Sequence, residues 1–148
     1  MAVDDEPHVL ESIDRTLREI TEYRVEVYKA SNATAALRLI GESRMDLVIS
    51  DIEMPGMDGL AVAKQIRTYD SKALIVFLTS YTKYMPDVFE VVTFDFIPKP
   101  ITEDRLRLLF VKAEAYLNMT NQTFSFCYRR SRYSLKFDEI LYLEKKGR

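Results

Sequence analysis

The residues in this chain best suited to chemistry are carboxylates, one hydroxyl and one lysine, each lying where a short apolar segment ends. Asp4 and Asp5 follow the first segment, Asp51 and Thr79 follow two longer ones, and Lys99 follows a fourth. Clustered carboxylates without histidine or thiolate suit Mg²⁺, and a lysine supplies a positive charge for a phosphoryl oxygen. An aspartate can also act as a nucleophile and form an aspartyl phosphate. These residue types indicate metal-assisted transfer of a phosphoryl group onto a carboxylate.

The composition of the chain excludes several other kinds of site. The chain has 148 residues, of which 47% are apolar and 30% charged, and this suits one domain with a fragment of a second. Its single cysteine and single histidine exclude a disulfide framework and a Cys/His zinc site. The longest apolar run, residues 73–78, is far shorter than the roughly 20 residues of a membrane helix. We therefore expect a cytoplasmic protein without a membrane partner.

Short apolar runs alternate with amphipathic stretches from residue 1 to residue 118. The predicted strands are a very short first segment and residues 25–30, 45–50, 73–79 and 94–97. The apolar cores of the strands at 45–50 and 73–79 are continuous, as in parallel strands that are covered on both faces. This alternation predicts a doubly wound α/β domain, in which the carboxyl ends of the strands form the working surface.

Capping residues mark where the intervening helices begin. Pro7 occupies a first-turn position, Asn32 and Thr102 are predicted caps, and a further helix is expected after Asp58. Only three residues precede Asp4, fewer than a central strand usually supplies. A shortened first strand would hold Asp4 and Asp5 less firmly.

The last thirty residues differ from the rest in charge and in periodicity. Residues 1–118 hold 14 basic and 20 acidic groups, whereas residues 119–148 hold 7 basic and 3 acidic groups. Apolar residues then alternate with a period of two over 124–128 and 133–137, followed by an apolar run at 140–143, which predicts the opening strands of a β-rich module. We place a linker at 119–123 and the start of this module at 124–148.

Four separated motifs resemble the receiver domain of bacterial two-component response regulators. They are VDDEP at 3–7, SDIEMPGMDG at 50–59, LTS at 78–80 and FIPKP at 96–100. The resemblance covers residues 1–118. It implies a flavodoxin-like fold, a five-stranded parallel sheet of order 2-1-3-4-5, and a phosphoryl group received from a sensor histidine kinase.

The resemblance also implies roles for the acids. Asp51 would be the phosphoacceptor, and Asp5 and Asp51 would ligate Mg²⁺ together with the backbone carbonyl of Glu53 and a water held by Asp4. The side chain of Glu53 has two open interpretations, because it either pairs with Lys99 before phosphorylation or repels the incoming phosphoryl group.

The same resemblance implies a switch. Thr79 and Lys99 would sense the phosphoryl group, and Phe96 matches the position of the family's switch aromatic. Inward movement of Thr79 would vacate space into which Phe96 can rotate, so that the surface around the fifth strand changes shape. A plain core position is the alternative interpretation of Phe96.

The tail resembles the beginning of a LytTR-type DNA-binding domain. Residues 124–148 match only the first quarter of that family's domain, and no DNA contact is assigned to any residue. The implied protein is a transcription regulator that binds DNA through this domain and forms a homodimer on phosphorylation.

Two alternatives remain open from the sequence. A Mg²⁺-dependent phosphohydrolase would use Asp51 as nucleophile and need an acid/base two residues later, where Glu53 stands. An interaction module with an inactive site is the other, although the complete set of acids argues against it. We expect a phosphoacceptor signalling domain rather than an enzyme, one that can also phosphorylate itself from small phosphodonors and slowly lose the phosphoryl group.

Overall fold

The computed structural model of the protein describes residues 1–20, 25–80, 91–120, 123–129, 131–136 and 144. The chain divides into two units, Met1–Phe110 and Val111–Arg148. Within the described ranges, no helix combines the length and the apolar content needed to cross a bilayer.

A five-stranded sheet of order β2-β1-β3-β4-β5 forms the centre of the first unit. Every neighbouring pair in it is parallel. The strands are β1 (Ala2–Val3), β2 (Lys29–Ala30), β3 (Leu47–Asp51), β4 (Leu74–Thr79) and β5 (Asp95–Pro98). The predicted fold class and the predicted strand order 2-1-3-4-5 are confirmed.

The second strand is shorter than predicted. Strand structure covers Lys29 and Ala30 rather than all of residues 25–30. β2 lies at the edge of the sheet and pairs only with β1, which itself has two residues. An edge strand can extend no further than the partner strand that supplies its hydrogen bonds. Residues 25–28 therefore do not form part of the strand.

The short first strand is nevertheless fixed firmly between its neighbours. The Met1 ammonium donates to the Leu47 carbonyl at 2.7 Å, and the Ile49 amide donates to the Met1 carbonyl at 2.9 Å. At the other end, the Asp4 amide donates to the Ala30 carbonyl at 3.1 Å. Hydrogen bonds therefore continue beyond both ends of β1 and set the position of Asp4.

The helices begin where the sequence predicts. They are α1 (Pro7–Ile20), α2 (Ala33–Glu42), α3 (Gly59–Tyr69) and α4 (Glu103–Thr120). Asn32 and Asp58 accept backbone hydrogen bonds as caps of α2 and α3, and the Thr102 hydroxyl accepts one from the Arg105 amide at the start of α4. α4 extends through residue 120, so the first two residues of the predicted linker at 119–123 are helical.

Apolar side chains cover both faces of the sheet. Alternate strand residues face opposite sides, so Val48, Ile75 and Phe77 join one core cluster while Ile49 and Val76 join the other. The first cluster includes α2 and α3 residues, and the second includes α1 and α4 residues. Helices on both faces are what the continuous apolar strands require.

The second unit contains a hairpin of β6 (Thr123–Tyr128) and β7 (Ser131–Lys136), which pair antiparallel. The rings of Phe126 and Tyr133 stack at 5.4 Å between centroids, and both are exposed, as is Leu135. A two-stranded hairpin alone is marginally stable in water. An exposed aromatic face of this kind is typical of a surface that packs against further protein structure. The predicted apolar run at 140–143 lies outside the described residues.

Two glycines shape the loop that follows β3. Gly56 has a φ of 89°, a left-handed conformation that favours glycine. Gly59 is the first residue of α3, and its amide donates to the Ile52 carbonyl at 2.9 Å. A Cβ at Gly59 would lie 1.9 Å from the backbone oxygen of Asp51, so only glycine lets α3 begin this close to the end of β3.

We expect Gly59→Ala to lower the free energy of unfolding by at least about 2 kcal/mol, because the Asp51 backbone must move to admit the methyl group. Urea unfolding followed by circular dichroism measures the change. Gly41→Ala is the matched control, because a Cβ there meets nothing within 4 Å in α2. Its stability should stay equal or rise by up to about 1 kcal/mol, and a Gly59→Ala protein as stable as this control would contradict the account.

Candidate functional site

The predicted site residues lie at one edge of the sheet. Asp4 and Asp5 follow β1, Asp51 ends β3, Thr79 ends β4 and Lys99 follows β5. Because all five strands are parallel, these positions share the carboxyl edge. The parallel topology thus gathers residues that are up to 95 positions apart in the sequence.

The Lys99 ammonium is the centre of this group. Its Nζ lies 2.7 Å from Asp51 Oδ2, 2.8 Å from Asp4 Oδ2 and 3.1 Å from Glu6 Oε1. The Asp4 side chain is fully buried, those of Asp51 and Lys99 are 6% and 11% exposed, and that of Glu6 is 48% exposed. A single cation is therefore shared by two buried carboxylates and one that reaches solvent, and it offsets only part of their negative charge.

The environment shifts the pKa values of Lys99, Asp4 and Glu6 in directions that follow from burial and charge. Burial alone would lower the pKa of Lys99, but the three carboxylates raise it above its ordinary value, so the side chain stays charged. Burial raises the pKa of Asp4 although the Lys99 ammonium opposes it. The pKa of the exposed Glu6 carboxyl is lowered, chiefly by its hydrogen bond with Lys99.

Both carboxylate oxygens of Asp51 are held. Oδ2 contacts Lys99, and Oδ1 accepts a hydrogen bond from the Glu53 amide at 3.1 Å. The Ser50 hydroxyl donates to the Asp51 backbone carbonyl at 3.0 Å. The side chain therefore has a fixed orientation with its charge directed at the lysine, as a positioned nucleophile requires.

Three carboxylates in this group are close enough to share a cation. One oxygen each of Asp4, Asp5 and Asp51 lies within 4.8 Å of the others, and Asp5 is exposed. Asp4 Oδ2 is buried and accepts no hydrogen bond, so its one close partner among the described residues is the Lys99 ion pair. A buried carboxylate oxygen that accepts no hydrogen bond, beside two further carboxylates, fits a hard divalent cation such as Mg²⁺.

Thr79 ends β4, and Phe96 lies within the neighbouring strand β5. Thr79 is buried, and its carbonyl accepts a hydrogen bond from the Lys99 amide at 2.8 Å. Phe96 is opposite Phe77 in the β4–β5 pairing and packs, partly buried, against the core. The structure thus places a hydroxyl residue next to Lys99 and an aromatic residue three positions before Lys99 in the chain.

Glu6 is a site residue that the sequence analysis missed. Pairing with Lys99 is one of the two predicted roles of Glu53, but among the described residues the acids paired with Lys99 are Asp4, Glu6 and Asp51. The Glu53 amide, rather than its carboxylate, contacts the site. The sequence feature that indicates a role for Glu6 is its position directly after Asp4 and Asp5 and just before the first helix.

Comparison with known proteins identifies the family. Residues 1–110 match the response regulator receiver domain. The chain is 34% identical over 113 residues to the positive alginate biosynthesis regulatory protein of Pseudomonas aeruginosa, covering 76% of this chain and 46% of that protein. It is 36% identical over 81 residues to the sensory transduction protein LytT of Oceanobacillus iheyensis, covering 53% of this chain and 33% of that protein. The chain thus spans less than half the length of these relatives.

Solved structures of receiver domains are also similar to this chain. The response regulator TrrA of Thermotoga maritima, in complex with Mg²⁺ and BeF, is 35% identical with a TM-score of 0.66 over 76% of this chain and 95% of that one. The REC domain of AraT from Geobacillus stearothermophilus is 27% identical with a TM-score of 0.74 over 82% and 95%. With its sheet order and four motifs, the chain therefore belongs to the response regulator receiver domain family.

Proposed function

We propose that this chain accepts a phosphoryl group on Asp51 from the phosphohistidine of a sensor histidine kinase. The observation that carries the proposal is the Asp51 carboxylate at the end of β3, 2.7 Å from the Lys99 ammonium and beside Asp4 and Asp5. The carboxylate is oriented, and it sits next to a cation that can accept charge from a phosphoryl group. Aspartate is an established covalent phosphoryl acceptor in such surroundings.

The transfer needs no proton to be removed from Asp51. An Asp51 carboxylate oxygen forms a bond to phosphorus while the bond from phosphorus to the histidine nitrogen breaks, and the electron pair stays on that nitrogen. The Lys99 ammonium, charged because of its carboxylate neighbours, stabilises the negative charge on the phosphoryl oxygens. The Glu53 amide keeps the carboxylate oriented throughout.

Mg²⁺ is the cofactor that fits the carboxylates. We assign Asp5, Asp51 and the backbone carbonyl of Glu53 as its ligands, with Asp4 holding a coordinated water. When bound, the ion neutralises charge on the transferred group. The Mg²⁺ and BeF complex of the related TrrA protein supports this choice of metal.

The phosphoryl group would act on the rest of the domain through Thr79 and Phe96. It adds acceptor oxygens beside Lys99, whose backbone amide is already bonded to the Thr79 carbonyl. Movement of the Thr79 hydroxyl toward a phosphoryl oxygen would make room for the Phe96 ring, which is only partly buried. This is a local change of packing that reshapes the surface around β5.

The output of the domain would be regulation of transcription. The transcriptional regulatory protein YpdB of Escherichia coli is 34% identical over 79 residues, covering 53% of this chain and 32% of that protein. The exposed aromatic face of the β6–β7 hairpin supports a module that a further part of the protein completes. We propose that this module is a LytTR-type DNA-binding domain starting at residue 124, that the protein acts in the cytoplasm, and that it forms a homodimer on phosphorylation.

Incubation with acetyl phosphate and Mg²⁺ should give one acid-stable, base-labile phosphoryl adduct. Asp51→Asn should lose the adduct completely because an amide does not attack phosphorus. Intact-mass spectrometry measures the added phosphoryl group, and Glu11→Asn serves as the control because Glu11 pairs with Lys29 on the surface. Steady release of phosphate from esters without an adduct would favour the phosphohydrolase, and neither adduct nor metal binding would leave an inactive interaction module.

Replacing Lys99 by methionine should raise the affinity for Mg²⁺ by about tenfold or more, because the ammonium competes with the ion for Asp4 and Asp51. Isothermal titration calorimetry of Mg²⁺ in the absence of phosphodonor measures this. Lys29→Met removes the same charge from an exposed pair and should leave the affinity nearly unchanged. Weaker Mg²⁺ binding by the Lys99 variant would contradict the proposed competition.

A further inference from the structure

Glu6 differs from the other two carboxylates on Lys99 in how easily it can leave. Its side chain is 48% exposed, whereas those of Asp4 and Asp51 are almost completely buried. Its other oxygen, Oε2, lies 3.6 Å from the exposed His8 ring, so the carboxylate already has a second contact outside the site. Release of Glu6 returns a carboxylate to water, while release of Asp4 would leave a buried charge without its partner.

The Lys99 ammonium donates hydrogen bonds to Asp51 and Glu6 and forms an ion pair with Asp4. Its Nζ is within 3.1 Å of an oxygen of Asp4, Glu6 and Asp51, so three carboxylates share its single positive charge. A phosphoryl group on Asp51 brings a charge of nearly −2 and new acceptor oxygens to the atom that Lys99 already contacts. The phosphoryl group then competes with the present partners for this ammonium, and the half-exposed Glu6 is the one whose departure disturbs no buried group.

We propose that Glu6 is a displaceable counterion, which holds Lys99 before modification and competes with the phosphoryl group for it. This inference rests on the proposed function and deepens it, because it names a residue that sets how tightly the site holds a tetrahedral phosphoryl anion. Glu6 acts through Lys99 and is therefore a positioning residue. The backbone of Glu6 has a separate task, since its carbonyl accepts the Val9 amide at 3.1 Å in the first turn of α1, and side-chain substitutions leave that bond in place.

The length of the side chain separates this role from a general effect of charge. Aspartate at position 6 keeps the negative charge but is one methylene shorter, so its carboxylate no longer reaches Lys99 Nζ, which glutamate meets at 3.1 Å. Glutamine keeps the length and removes the charge. If Glu6 competes by direct contact, both variants release Lys99; if it acts only as a nearby charge, the aspartate variant behaves like the unmodified chain.

The experiment is a titration of the full chain with beryllofluoride at saturating Mg²⁺, followed by ¹⁹F NMR of the bound fluorides. We expect Glu6→Gln and Glu6→Asp to bind beryllofluoride about two- to fivefold more tightly, the range of an exposed ion pair. Glu11→Gln, which removes a charge from the nearby helix α1 at a site paired with Lys29, should bind as the unmodified chain does. The rate of phosphorylation by acetyl phosphate should rise in parallel.

Other outcomes overturn the proposal in recognisable ways. Unchanged beryllofluoride affinity in Glu6→Gln would show that Glu6 does not compete for Lys99. An increase in Glu6→Gln that is absent in Glu6→Asp would reduce its role to local charge. Weaker binding in both variants would make Glu6 part of the anion site instead. Failure of the unmodified chain itself to bind beryllofluoride with Mg²⁺ would overturn the proposed function, which is a different result from any of these.

Discussion

The ion pairs of Lys99 are the interaction on which the rest of the site depends. Taking two carboxylates out of water is costly unless a cation accompanies them, and here the ammonium does so at 2.7 and 2.8 Å. The arrangement holds the Asp51 carboxylate in a fixed orientation. It also makes the site responsive to ligands. A cation that enters competes with the Lys99 ammonium for the carboxylates, and an anion competes with the carboxylates for the ammonium.

The fold serves this arrangement mainly by bringing strand ends together. Each of the parallel strands β1, β3 and β4 and the segment after β5 delivers one or two polar groups to the same edge, while two apolar clusters hold the sheet rigid from both faces. Gly59 adds the tightest constraint, since the start of α3 touches the Asp51 backbone. The same contact lets a small displacement of the β3 end reach the helix that follows it.

The sequence predicts the fold well because its signals are local. Continuous apolar runs, helix caps at Asn32, Asp58 and Thr102, and the four receiver motifs all agree on a doubly wound sheet. The length of β2 escapes prediction because it is set by the partner strand and not by the residues of β2. The contact between Glu6 and Lys99 escapes it for a related reason, since 93 positions separate the two residues and only the folded sheet joins them.

Identifying the modified residue directly tests the central claim, that the cation-bound carboxylate at the end of β3 is the phosphoryl acceptor. Borohydride reduces an aspartyl phosphate to homoserine, so treatment of the phosphorylated chain with tritiated borohydride marks the acceptor permanently. The account predicts tritiated homoserine at position 51 and nowhere else among the clustered acids. Label at Asp4 or Asp5, or no label in a chain that has gained a phosphoryl group, would contradict it.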